Sequence, residues 1–203
     1  MGRVDVHAIR REQILIAARH LLARKGWAGT TFADICQEAG ISGGVLTYHF
    51  KDKDEILLAL LENVTQMYQD RFFSLLREQN SWSDKLEQIV RSNFTLTEEQ
   101  REMNALHLHF LSLAAQRPEI AQRLRQMYTY AMGLGQAEIE RAIKQGEIKR
   151  HDAQAVAAVI QMVVIGLSLG SLMLDLPTPV TQLIPESLTL LRTYLETDDE
   201  EQQ

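Results

Sequence analysis

The sequence predicts an all-α protein made of two helical domains. Apolar residues recur every three or four positions along most of the chain, which is the period of an amphipathic helix. No stretch shows the two-residue alternation of a β-strand, and no internal repeat is present. Only four prolines interrupt the 203 residues, and aromatic residues make up 6% of them. We therefore expect an N-terminal helical domain over residues 1–53, a larger helical bundle over residues 54–197 and an acidic tail over residues 198–203.

The first helix is predicted over about residues 8–25, where it ends before a glycine. Thr31 can cap a second helix, and Asp34 three residues later completes a capping-box pattern. Gly40 ends that helix, since a residue without a Cβ adopts the left-handed conformation most easily. Ser42 can cap a third, short helix. Two short helices joined by a tight turn and followed by a longer helix are the layout of a helix-turn-helix unit.

The third helix has only a narrow apolar side, formed by Val45, Leu46 and Phe50. The residues left to face outward are Ser42, Gly43, Thr47, Tyr48 and His49. A short helix with small residues at its start and a polar outer side suits the DNA major groove, which is about 12 Å wide. The pattern indicates duplex DNA as a partner. The competing interpretation is an ordinary corner between two helices of an all-α domain.

Six further helices are predicted, separated by capping residues, glycines and prolines. They cover about residues 53–79, 81–96, 98–115, 118–145, 152–174 and 180–197. The first of these six is long enough to connect the two domains.

Residues 14–61 resemble the N-terminal domain of the TetR family of transcriptional regulators. The resemblance rests on the run ILIAARHLLARKGWAGTTFADICQEAGIS, followed by a Gly-x-Leu, the pair HF and the segment KDKDEILLALL. These pieces cover about a quarter of the chain and are specific in combination. One position departs from the family pattern, because Thr47 stands where the family usually has a tyrosine, and Tyr48 follows it.

The resemblance implies that the outward residues of the third helix contact DNA. The expected groove or phosphate contacts on that helix are Ser42, Gly43, Thr47, Tyr48 and His49. Thr31 and Lys53, which begin the second and fourth helices, are expected to hold phosphates. The family further implies a homodimer, an operator that we expect to be an inverted repeat, and a small effector bound by the C-terminal domain.

The charge of the chain is unevenly distributed, although its net value is −6. Residues 1–53 carry eight Lys or Arg and five Asp or Glu, a net +3, whereas residues 54–203 carry thirteen and twenty-two, a net −9. A basic end on an acidic body would orient the chain on DNA, but such asymmetry is also common by chance. The single cysteine, Cys36, excludes a disulfide framework and favours a reducing compartment. Residues 1–12 are polar and basic rather than signal-like, so a cytoplasmic protein is expected.

The predicted C-terminal bundle contains residues suited to an effector cavity. Methionine adapts its shape to a ligand, and tyrosine and histidine add polar groups. The candidates are Met103, His107, Phe110, Met127, Tyr128 and Met162. Plain core packing is the competing interpretation for each of them. We expect a compact apolar or aromatic effector, because few Lys or Arg residues are available for burial there.

Residues 153–174 are apolar and long enough to span a bilayer. Polar residues interrupt the segment and no basic cluster flanks both ends, so we expect a helix at a protein–protein interface and no membrane association. A helix that is apolar nearly all round needs cover on every side, which a second chain and the last helix would provide. The expected dimer-interface residues are Ala157, Gly166, Gly170, Leu188 and Leu191.

No nucleophile elbow, phosphate loop or metal-binding cluster stands out, so we expect no enzyme, metal or cofactor. His107 and His109 are two residues apart and point to different sides of a helix, so they cannot share a metal as an i, i+4 pair can. The leading hypothesis is a homodimeric repressor released from its operator by a small apolar or aromatic effector. The rival is a helical enzyme or small-molecule carrier in which the helix-turn-helix is structural.

Overall fold

The computed structural model describes residues 5–77, 81–92 and 97–196. Within these ranges the chain forms nine α-helices and no β-strand, which confirms the predicted all-α class. The helices are α1 Val6–Lys25, α2 Phe32–Ala39, α3 Gly43–His49, α4 Lys53–Arg77, α5 Trp82–Ser92, α6 Glu98–Ala114, α7 Pro118–Lys144, α8 Ala153–Met173 and α9 Val180–Leu195. The predicted helix ends at residues 79, 96 and 197 and the predicted acidic tail over 198–203 lie outside the described residues.

Local capping explains where the first helices begin and end. The Asp5 carboxylate accepts hydrogen bonds from two backbone N–H groups of the first turn of α1, at 3.0 and 3.2 Å, so α1 begins two residues before the predicted start. Thr31 and Asp34 form the predicted capping box at the start of α2. Gly40 closes α2 at φ 63°, and the Ser42 hydroxyl caps α3. The Thr31–Asp34 capping box, Gly40 and Ser42 are the sequence signals of a helix-turn-helix.

The chain packs as two compact units. Unit 1 contains Met1–Met67 and Ala105–Leu124, and unit 2 contains Tyr68–Asn104 and Arg125–Gln203. The boundaries between them fall inside α4, α6 and α7. The predicted N-terminal domain over residues 1–53 therefore lies wholly within unit 1.

Unit 1 has an apolar core to which α1, α2, α3, α4 and α6 all contribute. Its fully buried side chains include Ile14, Leu22, Ile35, Leu46, Phe50, Leu57 and Phe110. The helix-turn-helix is thus anchored on the helices before and after it. Apolar burial of this kind, worth about 1.5–3 kcal/mol per large side chain, holds short helices that would not be stable alone.

Unit 2 has a second core formed by α5, α7, α8 and α9. Its buried side chains include Trp82, Leu86, Val90, Ile139, Val156, Ile160, Ile184, Leu188, Leu191 and Leu195. The Lys85 ammonium on α5 lies 2.9 Å from the Glu138 carboxylate on α7, and both side chains are nearly buried. The backbone N–H of Lys149 donates to the carbonyl of Leu195 at 2.8 Å, which ties the segment before α8 to the end of α9.

Candidate nucleic-acid interface

The third helix is held to unit 1 by one side only. Leu46 is fully buried and Phe50, which directly follows the helix, is 1% exposed. The opposite side consists of the residues Ser42, Gly43, Thr47, Tyr48 and His49, which we call the recognition face. Of these, Ser42, Gly43, Thr47 and Tyr48 are exposed and His49 is half-buried. The structure therefore brings together the five residues of α3 and its cap that the sequence singled out.

The geometry of the recognition face leaves its surface open. The Tyr48 side chain is 76% exposed, an unusual position for a large aromatic ring in a chain with so few of them. Thr47 is also exposed, and its hydroxyl donates to the carbonyl of Gly43 at 3.0 Å. A Cβ placed on Gly43 would meet no atom of the chain within 4 Å. The chain's own packing does not require a glycine there, whereas close approach by a second molecule would.

Two residues of α1 support the recognition face, and sequence reasoning missed both. The His7 ring lies 4.3 Å from the His49 ring and 5.8 Å from the Tyr48 ring, measured between centroids. The Arg11 guanidinium lies over the Phe50 ring at 4.9 Å from its centroid. His7 and Arg11 are four residues apart, so they occupy the same side of α1. The four-residue spacing of His7 and Arg11 is visible in the sequence, but it does not show which helix the two side chains contact.

The surroundings of this cluster change the pKa of His49. Burial, together with the positive charges of His7 and Arg11, lowers the pKa of His49 below its usual value. The Nδ1 atom of His49 is buried and has no hydrogen-bond partner among the described residues. The ring is therefore neutral at pH 7 in the free chain.

Thr31 and Lys53 are both engaged within the chain. The Thr31 hydroxyl donates to Asp34 at 2.6 Å as part of the capping box. The Lys53 ammonium donates to the carbonyl of Trp27 at 2.5 Å and lies 4.7 Å from the centroid of the Trp27 ring. Burial lowers the pKa of Lys53. The exposed cation next to the recognition face is instead Lys51, whose side chain is 79% exposed and lies 4.0 Å from Asp52.

The six residues predicted for an effector site fall in two units. Met103, Met127 and Tyr128 lie in unit 2, where the first two are buried. His107 and Phe110 lie in unit 1, and burial lowers the pKa of His107 to about 4. The sixth, Met162, is 56% exposed on α8 and does not face the core of unit 2.

Sequence reasoning also missed a polar cluster in unit 2, in which Gln100 and Asn104 are buried and Arg71 is exposed. The Arg71 guanidinium donates to the side-chain carbonyl of Gln100 at 2.7 Å, and the Gln100 amide donates to Asn104 at 3.0 Å. Burial raises the pKa of Tyr68 to about 12, and burial together with the nearby Tyr68 raises that of Tyr128. Both phenols are therefore neutral at pH 7 and able to donate hydrogen bonds.

The five residues predicted for a dimer interface do not share one surface. Ala157, Leu188 and Leu191 are buried in the core of unit 2, and Gly170 is covered by Leu174 and Leu176 of its own chain. Gly166 alone lies on an exposed side. We use the name apolar face for this glycine and the exposed apolar residues of the last two helices, Val159, Met162 and Met173 of α8 with Leu190 and Tyr194 of α9. In the part of the chain that the structure describes, α8 is also the one helix long and apolar enough to cross a membrane, a weak indication because core helices of soluble proteins share this property.

A short helix with one anchored and one open polar side, following a capped helix and a glycine turn, defines a helix-turn-helix DNA-binding unit. Comparison with protein families gives the particular group. A model of the bacterial regulatory proteins of the TetR family matches residues 14–60, and a model of the C-terminal domain of BetI-type transcriptional repressors matches residues 82–197. The chain belongs to the BetI-type group of the TetR family of DNA-binding transcriptional regulators. Members of this family are regulators and not enzymes.

Individual relatives agree with this assignment. The HTH-type transcriptional regulator BetI of Cronobacter sakazakii is 27% identical over 197 residues, covering 93% of this chain and 95% of the relative. The regulator of the same name from Escherichia coli O157:H7 is 26% identical over 202 residues, covering 98% and 100%. Among solved structures, a transcriptional regulator from Saccharomonospora viridis in complex with choline has a TM-score of 0.84 at 23% identity, covering 94% of this chain and all of that one. A TetR regulator from Haloarcula marismortui has a TM-score of 0.80 at 20% identity, covering 93% and 100%.

Proposed function

We propose that this chain is a cytoplasmic homodimeric repressor that binds an inverted-repeat operator and leaves it when a small effector binds. The observation that carries the proposal is the recognition face, where an exposed Tyr48 and an uncrowded Gly43 lie on a helix anchored from behind. The name of the matched C-terminal family, a repressor family, supports the sign of regulation. In this proposal residues 1–53 bind DNA, and residues 54–197 bind the effector and form the dimer.

The recognition face supplies the proposed DNA contacts. The Tyr48 ring and the Thr47 methyl group provide apolar contact for base edges, and hydroxyl and imidazole groups provide hydrogen bonds. Ser42 and His49 lie at the two ends of α3, where phosphates flank a helix that enters the groove. Lys51 adds an exposed cation at the same end as His49.

The apolar face supports the proposed dimer. Leu190 and Tyr194 are 72% and 63% exposed on α9, and Met162 and Met173 are 56% and 62% exposed on α8. We infer that these residues form one patch, and monomeric soluble proteins rarely leave large apolar patches uncovered. A second copy of the chain would cover it by an isologous contact, in which two helices from each chain pack together. A two-fold dimer would then present two recognition helices to half-sites about 34–36 Å apart or a multiple of that distance.

The effector is proposed to be a compact molecule with an apolar body. Met103, Met127 and the neutral phenols of Tyr68 and Tyr128 offer apolar and aromatic contacts, and the Arg71–Gln100–Asn104 cluster offers polar ones. The choline complex of the Saccharomonospora viridis protein makes choline the first compound to test. Its trimethylammonium group presents methyl groups to an aromatic surface and is also attracted by the ring faces.

The experiment for DNA binding starts from a random-sequence duplex library, from which the native protein selects its preferred site. We expect an inverted repeat, and about tenfold weaker binding of that duplex by Tyr48→Ala, since one good base contact contributes about 1–3 kcal/mol. The matched control is Tyr130→Ala, because Tyr130 is also an exposed tyrosine but lies on α7 in unit 2. Equal affinity of Tyr48→Ala and Tyr130→Ala would remove Tyr48 from the interface.

The effector is tested with choline and its neutral isostere 3,3-dimethylbutan-1-ol. Each is added to the protein bound to the selected duplex, and release is followed by fluorescence anisotropy. A tenfold loss of affinity needs about 1.4 kcal/mol of preferential binding to the free form. Release by both compounds supports an effector recognised by its apolar body, and release by choline alone indicates recognition of its charge. Release by neither would overturn this effector class. Transcription from a promoter that carries the site should fall when protein is added and recover with the effector.

A further inference from the structure

The three consecutive residues Tyr48, His49 and Phe50 are each held by α1. His7 contacts the first two rings and Arg11 lies over the third. The rings of Tyr48 and His49 also contact each other edge-on at 5.2 Å. The end of the recognition helix is therefore fixed between its own neighbours and two side chains of α1, which Asp5 anchors at its start.

The supporting residues come from outside the part of the chain that matches the TetR family. That match begins at residue 14, whereas His7 and Arg11 lie in the first two turns of α1. His7 is exposed, and its ring lies against that of Tyr48, which is also exposed. A molecule that contacts Tyr48 and His49 thus approaches His7 as well.

The charges around this pair explain why it would respond to DNA. The groups that surround the His7 and His49 rings are the phenol of Tyr48, the guanidinium of Arg11 and, at the start of α1, the carboxylate of Asp5. That carboxylate is occupied by two backbone N–H groups. Burial, the His7 ring 4.3 Å away and Arg11 oppose protonation of the His49 ring in the free chain. DNA phosphates reverse this balance, because a nearby negative charge favours the protonated ring.

We propose that His7 is a positioning residue of the DNA interface: it holds Tyr48 and His49 in place, and the His49 ring takes up one proton when the protein binds duplex DNA. The inference rests on the proposed role of the recognition face. Binding then strengthens as the pH falls, because the complex holds one more proton than its separated components. The linkage is at most tenfold in affinity per pH unit.

The test measures the dissociation constant of the duplex selected from the random library at pH 8.0, 7.0 and 6.0, with the ionic strength held fixed. For the native protein we expect about five- to tenfold tighter binding at pH 6.0 than at pH 8.0. His49→Phe keeps a ring against Tyr48 and His7 but cannot titrate, so it should lose most of the gain at pH 6.0. His7→Phe keeps a ring against Tyr48 and leaves the His49 imidazole in place, so it should retain the gain. His7→Ala removes the ring against Tyr48 and should bind more weakly at every pH.

The matched control is His20→Gln. His20 lies on the same helix, but its Nδ1 atom lies 3.6 Å from the Glu38 carboxylate of α2. The His20→Gln substitution should therefore leave the pH dependence of DNA binding intact. Thermal melting of each variant checks that α1 remains folded. A full gain at pH 6.0 in His49→Phe, or an equal loss in His20→Gln, would overturn the proposed proton uptake while leaving DNA binding in place. Failure of the native protein to retain any duplex would instead refute the DNA interface itself, and this inference with it.

Discussion

The Arg117 guanidinium lies 2.7 Å from the Asp54 carboxylate and joins the turn before α7 to the first turn of α4. A second ion pair, between Arg123 and Glu62, connects the same two helices further along. Both pairs lie within unit 1, which also contains the recognition face. The beginning of α7 is thus attached to the helix that directly follows the helix-turn-helix.

The Asp54–Arg117 pair is expected to contribute little to stability. Both side chains are partly exposed, and such pairs give coupling energies of about 0.2–1 kcal/mol. We predict this range for a double-mutant cycle with Asp54→Ala and Arg117→Ala, measured by urea unfolding at fixed protein concentration. Asp54→Ala alone should cost more than Arg117→Ala, because Asp54 also faces the positive end of α4. The cycle of Asp54 with Arg123, whose partner is Glu62, is the control and should show no coupling.

Lys51 and Lys53 are predicted to have different roles on DNA despite their proximity in sequence. Lys51→Ala should lower the slope of log Kd against log salt by about one, since one phosphate contact is lost. Lys53→Ala should leave that slope unchanged and lower the free energy of unfolding by about 2 kcal/mol, because the hydrogen bond and ring contact to Trp27 are lost. An equal fall in slope for both variants would mean that Lys53 leaves Trp27 for a phosphate in the complex.

Most helix ends in unit 1 could be predicted because their signals are local. Thr31 with Asp34, Gly40 and Ser42 each act within a few residues, so the sequence alone shows them. The start of α1 was misplaced because the cap at Asp5 depends on a carboxylate in an otherwise unpatterned stretch. The exposed side of α3 was also predictable, since its apolar residues are few and lie on one side.

Contacts between distant segments could not be predicted. Nothing near His7 or Lys53 in the sequence shows that one meets α3 and the other meets Trp27. Helices α8 and α9 pose the same difficulty, because apolar residues lie on more than one side of each helix and do not show which side meets its own chain. Ala157 and Leu188 were therefore assigned outward, although the structure buries them.

The glycines of α8 provide a test of the apolar face. A Cβ at Gly166 would meet no atom of the chain within 4 Å, so Gly166→Leu should leave the single chain folded and obstruct a partner chain. Gly170 already lies within 3.8 Å of Leu176 by the same measure, so Gly170→Leu should instead destabilise unit 2 by about 1–3 kcal/mol. Sedimentation velocity at micromolar concentration measures association, and thermal melting at the same concentration measures stability. A native monomer, or an unaffected dimer in Gly166→Leu, would contradict the proposed interface.

Introducing charge on the apolar face gives an independent check of the same interface. Met162→Glu and Leu190→Glu place a carboxylate on surface that is exposed in the single chain, so neither should unfold it. Burial of that carboxylate against a partner would cost several kcal/mol, enough to dissociate a micromolar dimer. Tyr130→Glu is the control, since Tyr130 is an exposed aromatic residue on α7 away from this face. Dimers that persist in both α8 and α9 variants would place the contact elsewhere.

Glu138 is predicted to be the most sensitive charged residue of unit 2. Its carboxylate accepts hydrogen bonds from Lys85 at 2.9 Å and from Arg141 at 2.6 Å, and the side chains of Lys85 and Glu138 are only 6% and 10% exposed. Glu138→Gln would leave the Lys85 ammonium buried without its charged partner, which costs about 3–5 kcal/mol. Glu140→Gln is the control, because Glu140 is an exposed neighbour on the same helix and should change stability by less than about 0.5 kcal/mol.

The pH dependence of the stability difference between the native protein and Glu138→Gln tests whether the ionised carboxylate of Glu138 causes it. Burial alone would raise the pKa of Glu138, but the hydrogen bonds from Arg141 and Lys85 outweigh it and hold the pKa below the usual value of about 4.5. A carboxylate with a lowered pKa stabilises the folded state above its unfolded pKa and loses that contribution as the pH falls through the folded one. The stability gap between native protein and Glu138→Gln should therefore be full at pH 6–7 and shrink below about pH 4.5. Urea unfolding of both proteins from pH 7 to pH 3 measures the gap, and a gap that stays constant would show that packing, not charge, makes Glu138 important.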